Sequence, residues 1–533
     1  MAFERRALWW LVLCCACASD PRFPLRPVMW RDDDQRAFAP APVEYVSPFA
    51  WDGADQMVFR PVSWLFAVDP ADRATNVNAL DEVPDSSWFE NRIGGRPLTA
   101  EEIVSGPCGA QVLDVNMPAG SWLIDQGKPN GANPGFRVNI PDVGKFMLKA
   151  DPDGEPQRAT GATAIASRLY HAAGYFAPCD SVVYFDPKIL KLKPGLTVTD
   201  NSGVARPFDE AELAALLAKA SHRDGLVRMG ASRWLPGKPI GPARYEGTRD
   251  DDPNDVVPHE DRRELRGARL MAAWLNHFDS REQNSMDVFM PAGHVRHYIL
   301  DLGDCFGSVW ASDELSRRLG HAYYFDFDYL VRDFLSFGLV SRPWERARRD
   351  GGIFNYFSAR DFVPEDWRGG YPNPAFQRMT EADGAWMARI LAGFDDGLIT
   401  AAVSVGQYDA ESSAYLTRTL ITRRDLILQR YLTRLSPLAG LRVRGRELCG
   451  IDLARRSGAA TGSSAPSARM LESDGGRALA VQEHGAELCV ALPPLAAQYG
   501  IVEIATGSAM APLRAHVYDR GAQGLWLAGI ERD

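Results

Sequence analysis

His277-Phe278-Asp279-Ser280-Arg281-Glu282-Gln283-Asn284, followed by Tyr298-Ile299-Leu300-Asp301-Leu302-Gly303, is the stretch on which the fold turns. Apolar spacing predicts a helix from about Glu260 to Leu275 just before it. Two strands, Met286 to Met290 and Val295 to Leu300, are predicted around the turn Pro291-Ala292-Gly293. An Asp and an Asn thus stand five residues apart between a helix and a strand, and the next strand ends in an acid followed by Gly. These types suit phosphoryl transfer: one carboxylate orients or deprotonates an attacking hydroxyl, while a second carboxylate and an amide oxygen hold Mg²⁺. The spacing Asp-x-x-x-x-Asn recurs by chance in any long chain, so its weight comes from order and context.

Upstream lies a third element of that order. Phe146-Met147-Leu148-Lys149 is an apolar strand ending in a lysine that can project an ammonium toward phosphate. Short strands are predicted over Val112 to Val115, Ser121 to Asp125, Phe136 to Ile140 and Lys145 to Lys149, the last two joined as a hairpin through Pro141-Asp142-Val143-Gly144. A helix over Thr160 to Ala173, a strand over Ser181 to Phe185, and a helix opened at Asp209-x-x-Glu212 and running to about Ala220 follow. The acidic run Arg249 to Asp255 reads as a surface loop between lobes. Residues 320–435 read as mainly helical, with Thr380-x-x-Asp383 as a capped start and Leu416, Leu420, Ile427, Tyr431 and Leu435 on one face of a long last helix. Asn78 to Ile93, broken by Pro84, reads as ordered loop.

With lysine strand, helix, helix-Asp-Asn-strand and strand-Asp-x-Gly in that order, His277 to Gly307 resembles the catalytic segment of protein-kinase-like folds. It is closest to the atypical branch that includes the HipA toxin kinases and the phosphoinositide kinases. More narrowly, Asn78 to Ile93, Phe146 to Pro152 and Trp274 to Ser308 resemble a group of bacterial lipoproteins that carry this fold. The resemblance covers roughly residues 110–435, with specific motifs at a few dozen positions. It implies Lys149 as the phosphate-binding lysine, Asp279 as the catalytic aspartate, Asn284 as a metal ligand and Asp301 as the main Mg²⁺ ligand, with ATP and Mg²⁺ (or Mn²⁺) as cofactors. Gly127-Lys128-Pro129-Asn130-Gly131 would be the loop over the phosphates, although it is no Gly-x-Gly-x-x-Gly. There is one departure. The helix after the lysine strand should offer an acid to Lys149, and Thr163 stands where Glu is expected; a hydroxyl cannot neutralise an ammonium. Glu155, in the preceding loop, is the candidate substitute.

The expected architecture is α+β: a two-lobed kinase-like domain over 61–440, with a β-rich lobe over about 105–235 and a helical lobe over about 236–440, then an all-β module over 441–533. Within that module Gly445-Arg-Glu447-Leu448-Cys449 recurs as Gly485-Ala-Glu487-Leu488-Cys489, and Asp474-x-Gly with Leu479 answers Asp519-x-Gly with Leu525. Two such copies predict a small β-sandwich in which Cys449 and Cys489 lie close enough to bridge. The other body cysteines, Cys108, Cys179 and Cys305, form no disulfide framework by spacing, although export would permit one or two bridges.

The N-terminus reads as a targeting segment over 1–17. Arg5-Arg6 precede the short apolar stretch Ala7 to Leu13, and Leu13-Cys14-Cys15-Ala16-Cys17 resembles a bacterial lipobox. Cys17 is the expected acylation site; Cys15 is the alternative, and a cleaved signal without lipid is the plainer reading. Residues 18–60 read as a tether, so the expectation is an exported protein of the cell envelope whose only hold on the membrane is its lipid.

Composition narrows the rest. The chain has 533 residues, 46% hydrophobic and 24% charged, with net charge −10 and scattered basic residues, which argues for several globular domains and against nucleic acid as a partner. No apolar run reaches the length of a membrane helix. Arg263 replaces the second His of a zincin after His259-Glu260, there is no Gly-x-Ser-x-Gly, and His294-x-x-His297 flanks a turn as a structural pair. Arg423-Arg424 and the run Arg346 to Arg349 read as solvated helix faces, and Tyr323 to Tyr329 as core and interface packing. Two functions stay open at this level: transfer of the γ-phosphoryl group of ATP to a hydroxyl on a protein or small molecule, and a non-catalytic envelope module that binds a partner.

Overall fold

Alternating burial along short strands builds the first sheet. The computed structural model describes residues 22–23, 33–46, 49–64, 66, 73–109, 113–128, 133–152, 154–199, 204–309, 312–460, 465–471, 476–495, 498–507 and 510–532. The signal segment with Cys17, Gly131 and Asp474 lie outside these residues. Strands β1 (Trp122–Lys128), β2 (Gly135–Ile140), β3 (Gly144–Lys149), β4 (Asp180–Phe185), β5 (Leu190–Leu192) and β6 (Leu226–Arg233) pair in the order β4–β6–β3–β2–β1–β5. The pairings are antiparallel except that of β1 with β5. One face buries Trp122, Ile124, Phe136, Val138, Leu148 and Met229 with Leu213 of helix Glu210–Lys219. Helix α1 (Arg158–Ala173) lies against β4 and β6. Its first turn is fixed by Asp151, just past the lysine strand, whose carboxylate accepts from the backbone N–H groups of Gln157 (2.9 Å) and Thr160 (2.8 Å).

From β6 the chain passes through Trp234 and Leu235 into β7 (Lys238–Pro239), which pairs with β8 (Ser285–Phe289) of the second lobe. Strands β8 and β9 (Val295–Ile299) form the expected hairpin. Around them α2 (Arg263–Leu275), α3 (Glu381–Leu391), α4 (Asp396–Ser404) and α5 (Ala410–Tyr431) enclose Trp274, Leu275, Trp386, Leu391, Leu416, Leu420 and Ile427. Asn78 to Ile93 is ordered loop, as expected, and Trp88 stacks on His297 with centroids 3.5 Å apart.

The C-terminal region is all β. Strands β10 (Leu438–Arg444), β11 (Glu447–Asp452), β14 (Val481–His484) and β15 (Glu487–Ala491) form one antiparallel sheet. Strands β12 (Ser467–Leu471), β13 (Arg477–Leu479), β16 (Tyr499–Ala505), β17 (Leu513–Asp519) and β18 (Leu525–Arg532) form the other, and the two share one apolar core. The two Glu-Leu-Cys segments are neighbours, Cys449 faces Cys489, and the pair is a disulfide with a Cα–Cα distance of 4.1 Å. A second bridge joins Cys108 to Cys179, leaving Cys305 buried and free. No helix among the described residues is long and apolar enough to cross a membrane.

Several expectations are corrected. Residues 113–115 form no strand, and residues 49–64 are largely helical. Part of the expected tether is docked: Phe38 N–H donates to Gly293 O and Tyr45 N–H to Ile240 O. The run Arg249 to Asp255 is a loop but only partly at the surface: Asp250, Asp251 and Pro253 are exposed, whereas Arg249 and Asp255 are buried in ion pairs with Asp287 and with His259 and Arg262. Arg423 and Arg424 are buried too. Arg423 donates to the carbonyls of Trp274 and Ala273 in the last turn of α2, where carbonyls run out of partners within the helix. The aromatic run Tyr323 to Tyr329 is only partly packed: Arg368 lies over Tyr323 and Tyr329, while Phe325 and Phe327 face solvent.

Candidate active site

Lys149 ends β3 and meets Asp301, two residues past β9 and just before the helical turn Leu302–Asp304; Nζ and Oδ1 are 2.7 Å apart. Asp301 sits in the left-handed region (φ 52°, ψ 52°), a conformation that costs a non-glycine residue energy and that clusters at functional sites. Its place is set on two sides. Leu300 N–H donates to Asn284 O (2.8 Å), and buried Arg158 of α1 donates to the carbonyls of Gly303 (2.9 Å) and Cys305 (3.1 Å). Asn284 Nδ2 donates to Asp279 Oδ2 (2.8 Å) and to its carbonyl (2.7 Å), which turns the amide oxygen away from Asp279. Lys149, Asn284 and Asp301 line one cavity of about 260 Å³ between the lobes, roofed by Met147 and floored by Met286 and Leu300. Asp279 joins it through Asn284.

Charge in the cleft is unevenly held. The adjacent Lys149 ammonium outweighs burial and lowers the Asp301 carboxyl to about 2. Burial works against the Lys149 charge, but Asp301 more than offsets it and the lysine stays above its ordinary value. Burial raises Asp279 well above the carboxylate range, and neighbouring Asp304 pushes it further. Asp304 is raised in the same way, by burial and by Asp301. Lys128 falls to about 8 through burial and the nearby Lys149. A raised carboxyl beside an ionised one is the pattern in which environment divides two acids between protonated and charged forms.

Two acids of the site were missed in the sequence. Asp304 Oδ2 accepts from the backbone N–H of Asp279 (2.9 Å), and its Oδ1 is 3.7 Å from Nε2 of His277, whose Nδ1 meets Tyr170 OH at 2.9 Å. The pair Asp301-x-x-Asp304 was the available signal. Asp180, the first residue of β4, is 2% exposed and lines the cleft. Burial raises it to about 7, and nothing in Cys179-Asp180-Ser181 announces this. Glu155 does not substitute for the missing acid, since its carboxylate is taken by Arg158 and by Val309 N–H. Gly127 is not poised over the cleft: a side chain there would collide with Val198 at 2.3 Å, so its bareness serves packing. Lys128 reaches Asn133 O (2.9 Å), and Gly131 lies outside the described residues.

The donor set fits a nucleotide with a divalent ion: two lysines for phosphate, and Asp301, Asn284 and Asp304 as hard oxygen groups beside Asp279. No family model matches the sequence, and no curated protein matches it. Among solved structures the chain is similar to the Golgi casein kinase, at 12% identity and a TM-score of 0.31 over 78% of this chain and 96% of that one. The Golgi casein kinase with Mn/ADP bound matches at 12% identity and 0.23, over 53% of this chain and 75% of that one. The twitchin kinase region from C. elegans matches at 9% identity and 0.22, over 83% and 78%.

Proposed function

We propose that the protein is an exported, lipid-anchored kinase-like phosphotransferase that moves the γ-phosphoryl group of ATP to a hydroxyl on a protein or small-molecule acceptor. One observation carries the reading: the pairs Lys149–Asp301 and Asp279–Asn284 stand side by side at a single interlobe cleft. Bound Mg²⁺ or Mn²⁺ would neutralise phosphate charge, and Asp301 and Asn284 would hold it, with Asp304 in reach. Lys149 and Lys128 supply positive charge at the phosphate end. Asp279, kept proton-avid by burial and by Asp304, is placed to accept the acceptor hydroxyl's proton. Two disulfides support an oxidising compartment, as export requires.

A binding-only module is the second reading. It is favoured by Thr163, whose hydroxyl donates to Ala159 O (3.0 Å) and gives Lys149 no countercharge. A thermal-shift titration of the full chain with ATP, with and without Mg²⁺ or Mn²⁺, tests the proposal. Metal-dependent stabilisation is expected, lost in Asp301→Ala and kept in Asp279→Ala, while Asp279→Ala abolishes phosphoryl transfer. A chain unmoved by nucleotide and metal overturns both the nucleotide site and the activity. Binding without turnover, even in Thr163→Glu, establishes the second reading.

A further inference from the structure

Among the described residues Lys149 is ion-paired with one acid, Asp301, the residue assigned to metal. A lysine whose ion-pair partner is engaged elsewhere is left charged and without a counter-ion in a partly buried cleft, which is costly. Neither Thr163 nor Glu155 relieves this, because both are committed as described above.

Asp180 is placed to do so. Its Oδ1 is buried without a hydrogen-bond partner, and its side chain lines the same cavity as Lys149. The sheet sets the direction. Asp180 faces Ser232 on β6, and Ser232 faces Met147 on β3, two residues before Lys149. Period-two alternation therefore puts Asp180, Ser232, Met147 and Lys149 on one face. Directly opposite Lys149 is Gly230, so on β6 the path from the ammonium to Asp180 is bordered by the small side chain of Ser232 alone. Two strand spacings of about 4.8 Å and two residues of about 3.4 Å separate the Cα atoms by about 12 Å, a span that an extended lysine, an aspartate and one hydrogen bond cover. Two other groups face Asp180. Ser232 hydrogen-bonds its carboxylate, and Arg168 donates to its carbonyl oxygen, not to the side chain.

We propose that Asp180 is the second counter-ion of Lys149, a positioning residue on β4 that takes the place of the acid absent from α1 and receives the ammonium when Asp301 is engaged. Its purpose rests on the phosphotransfer reading of the cleft; its test does not. In an Asp301→Asn background, Lys149→Met, Asp180→Asn and their combination form a double-mutant cycle read by thermal unfolding. The expected result is non-additivity of several degrees, whereas strictly additive shifts overturn the proposal. A second arm measures Mg·ADP affinity in an otherwise unaltered chain. Asp180→Ala, or Asp180→Asn should the alanine variant fail to fold, is expected to weaken binding tenfold or more, and adding Thr163→Glu to restore most of it. Unchanged affinity on losing Asp180, or no rescue by Thr163→Glu, counts against the proposal. A wild-type chain that binds no nucleotide sinks the phosphotransfer reading, and the cycle alone then decides Asp180.

Discussion

Asp180 and Asp301 are the same side chain in opposite electrostatic situations. Asp301 has an ammonium at 2.7 Å and stays ionised, whereas Asp180 has lost water without gaining a full countercharge and sits at about 7 instead of its ordinary 3.8. A raised carboxyl binds its proton more tightly in the folded chain than in the unfolded one. The stability tied to that proton is therefore complete below about pH 4 and lost as pH rises through about 7. Asp180→Asn, neutral at every pH, removes the loss. Thermal unfolding from pH 5 to 8 is expected to show the wild type falling relative to Asp180→Asn, by an amount on the order of a few kcal/mol at the upper end. Parallel curves would show that Asp180 keeps an ordinary pKa. Legibility at this scale followed the pattern of covalent neighbours. Asp279, Asn284 and Asp301 announced themselves through fixed spacing beside readable strands. Asp180 did not, because its burial depends on pairing with β6, some fifty positions along the chain.

Secondary structure was readable where period and punctuation agreed. The strands at 135–140 and 144–149, α1 and the capping box at Thr380 with Asp383 lie close to where alternation and capping placed them. Charge runs were misread for a definite reason. Polarity in sequence signals a solvated surface, but it cannot show that Arg423 has helix-end carbonyls to bind, or that Asp255 has His259 and Arg262. The repeat in the C-terminal region was legible because a copied Glu-Leu-Cys strand must pair with something of the same register. The disulfide it produces, Cys449–Cys489, closes a loop of 40 residues. Cross-linking a loop of that length restricts the unfolded chain, so Cys449→Ala with Cys489→Ala is expected to cost about 2–4 kcal/mol in denaturant unfolding of this region. Peptide mapping without reductant should recover both bridges and a free Cys305; a reduced pair in the native protein would contradict the bridge.

At the scale of the whole molecule, the cleft needs both lobes in one register, and buried arginines supply part of the connection. Arg158 carries α1 onto the turn after Asp301, and Arg228 of β6, braced by Tyr184 OH of β4 (2.7 Å), donates to Gly406 O (2.7 Å) across the lobe boundary. Disulfides stand on both the N-terminal lobe and the β region, and bridges of this kind persist in oxidising compartments, in keeping with the export proposed above. A short apolar stretch behind two arginines, ending in Ala16-Cys17, is suited to export followed by acylation. Each buried methylene of an acyl chain contributes roughly 0.8 kcal/mol, so two or more chains hold a protein durably where one would not. The full chain expressed in a bacterial host is therefore expected in the membrane fraction, and Cys17→Ala in a soluble or unprocessed form. Processed, membrane-bound Cys17→Ala would shift the anchor to Cys15 or to a protein surface. Soluble, processed wild type would leave a signal peptide without lipid.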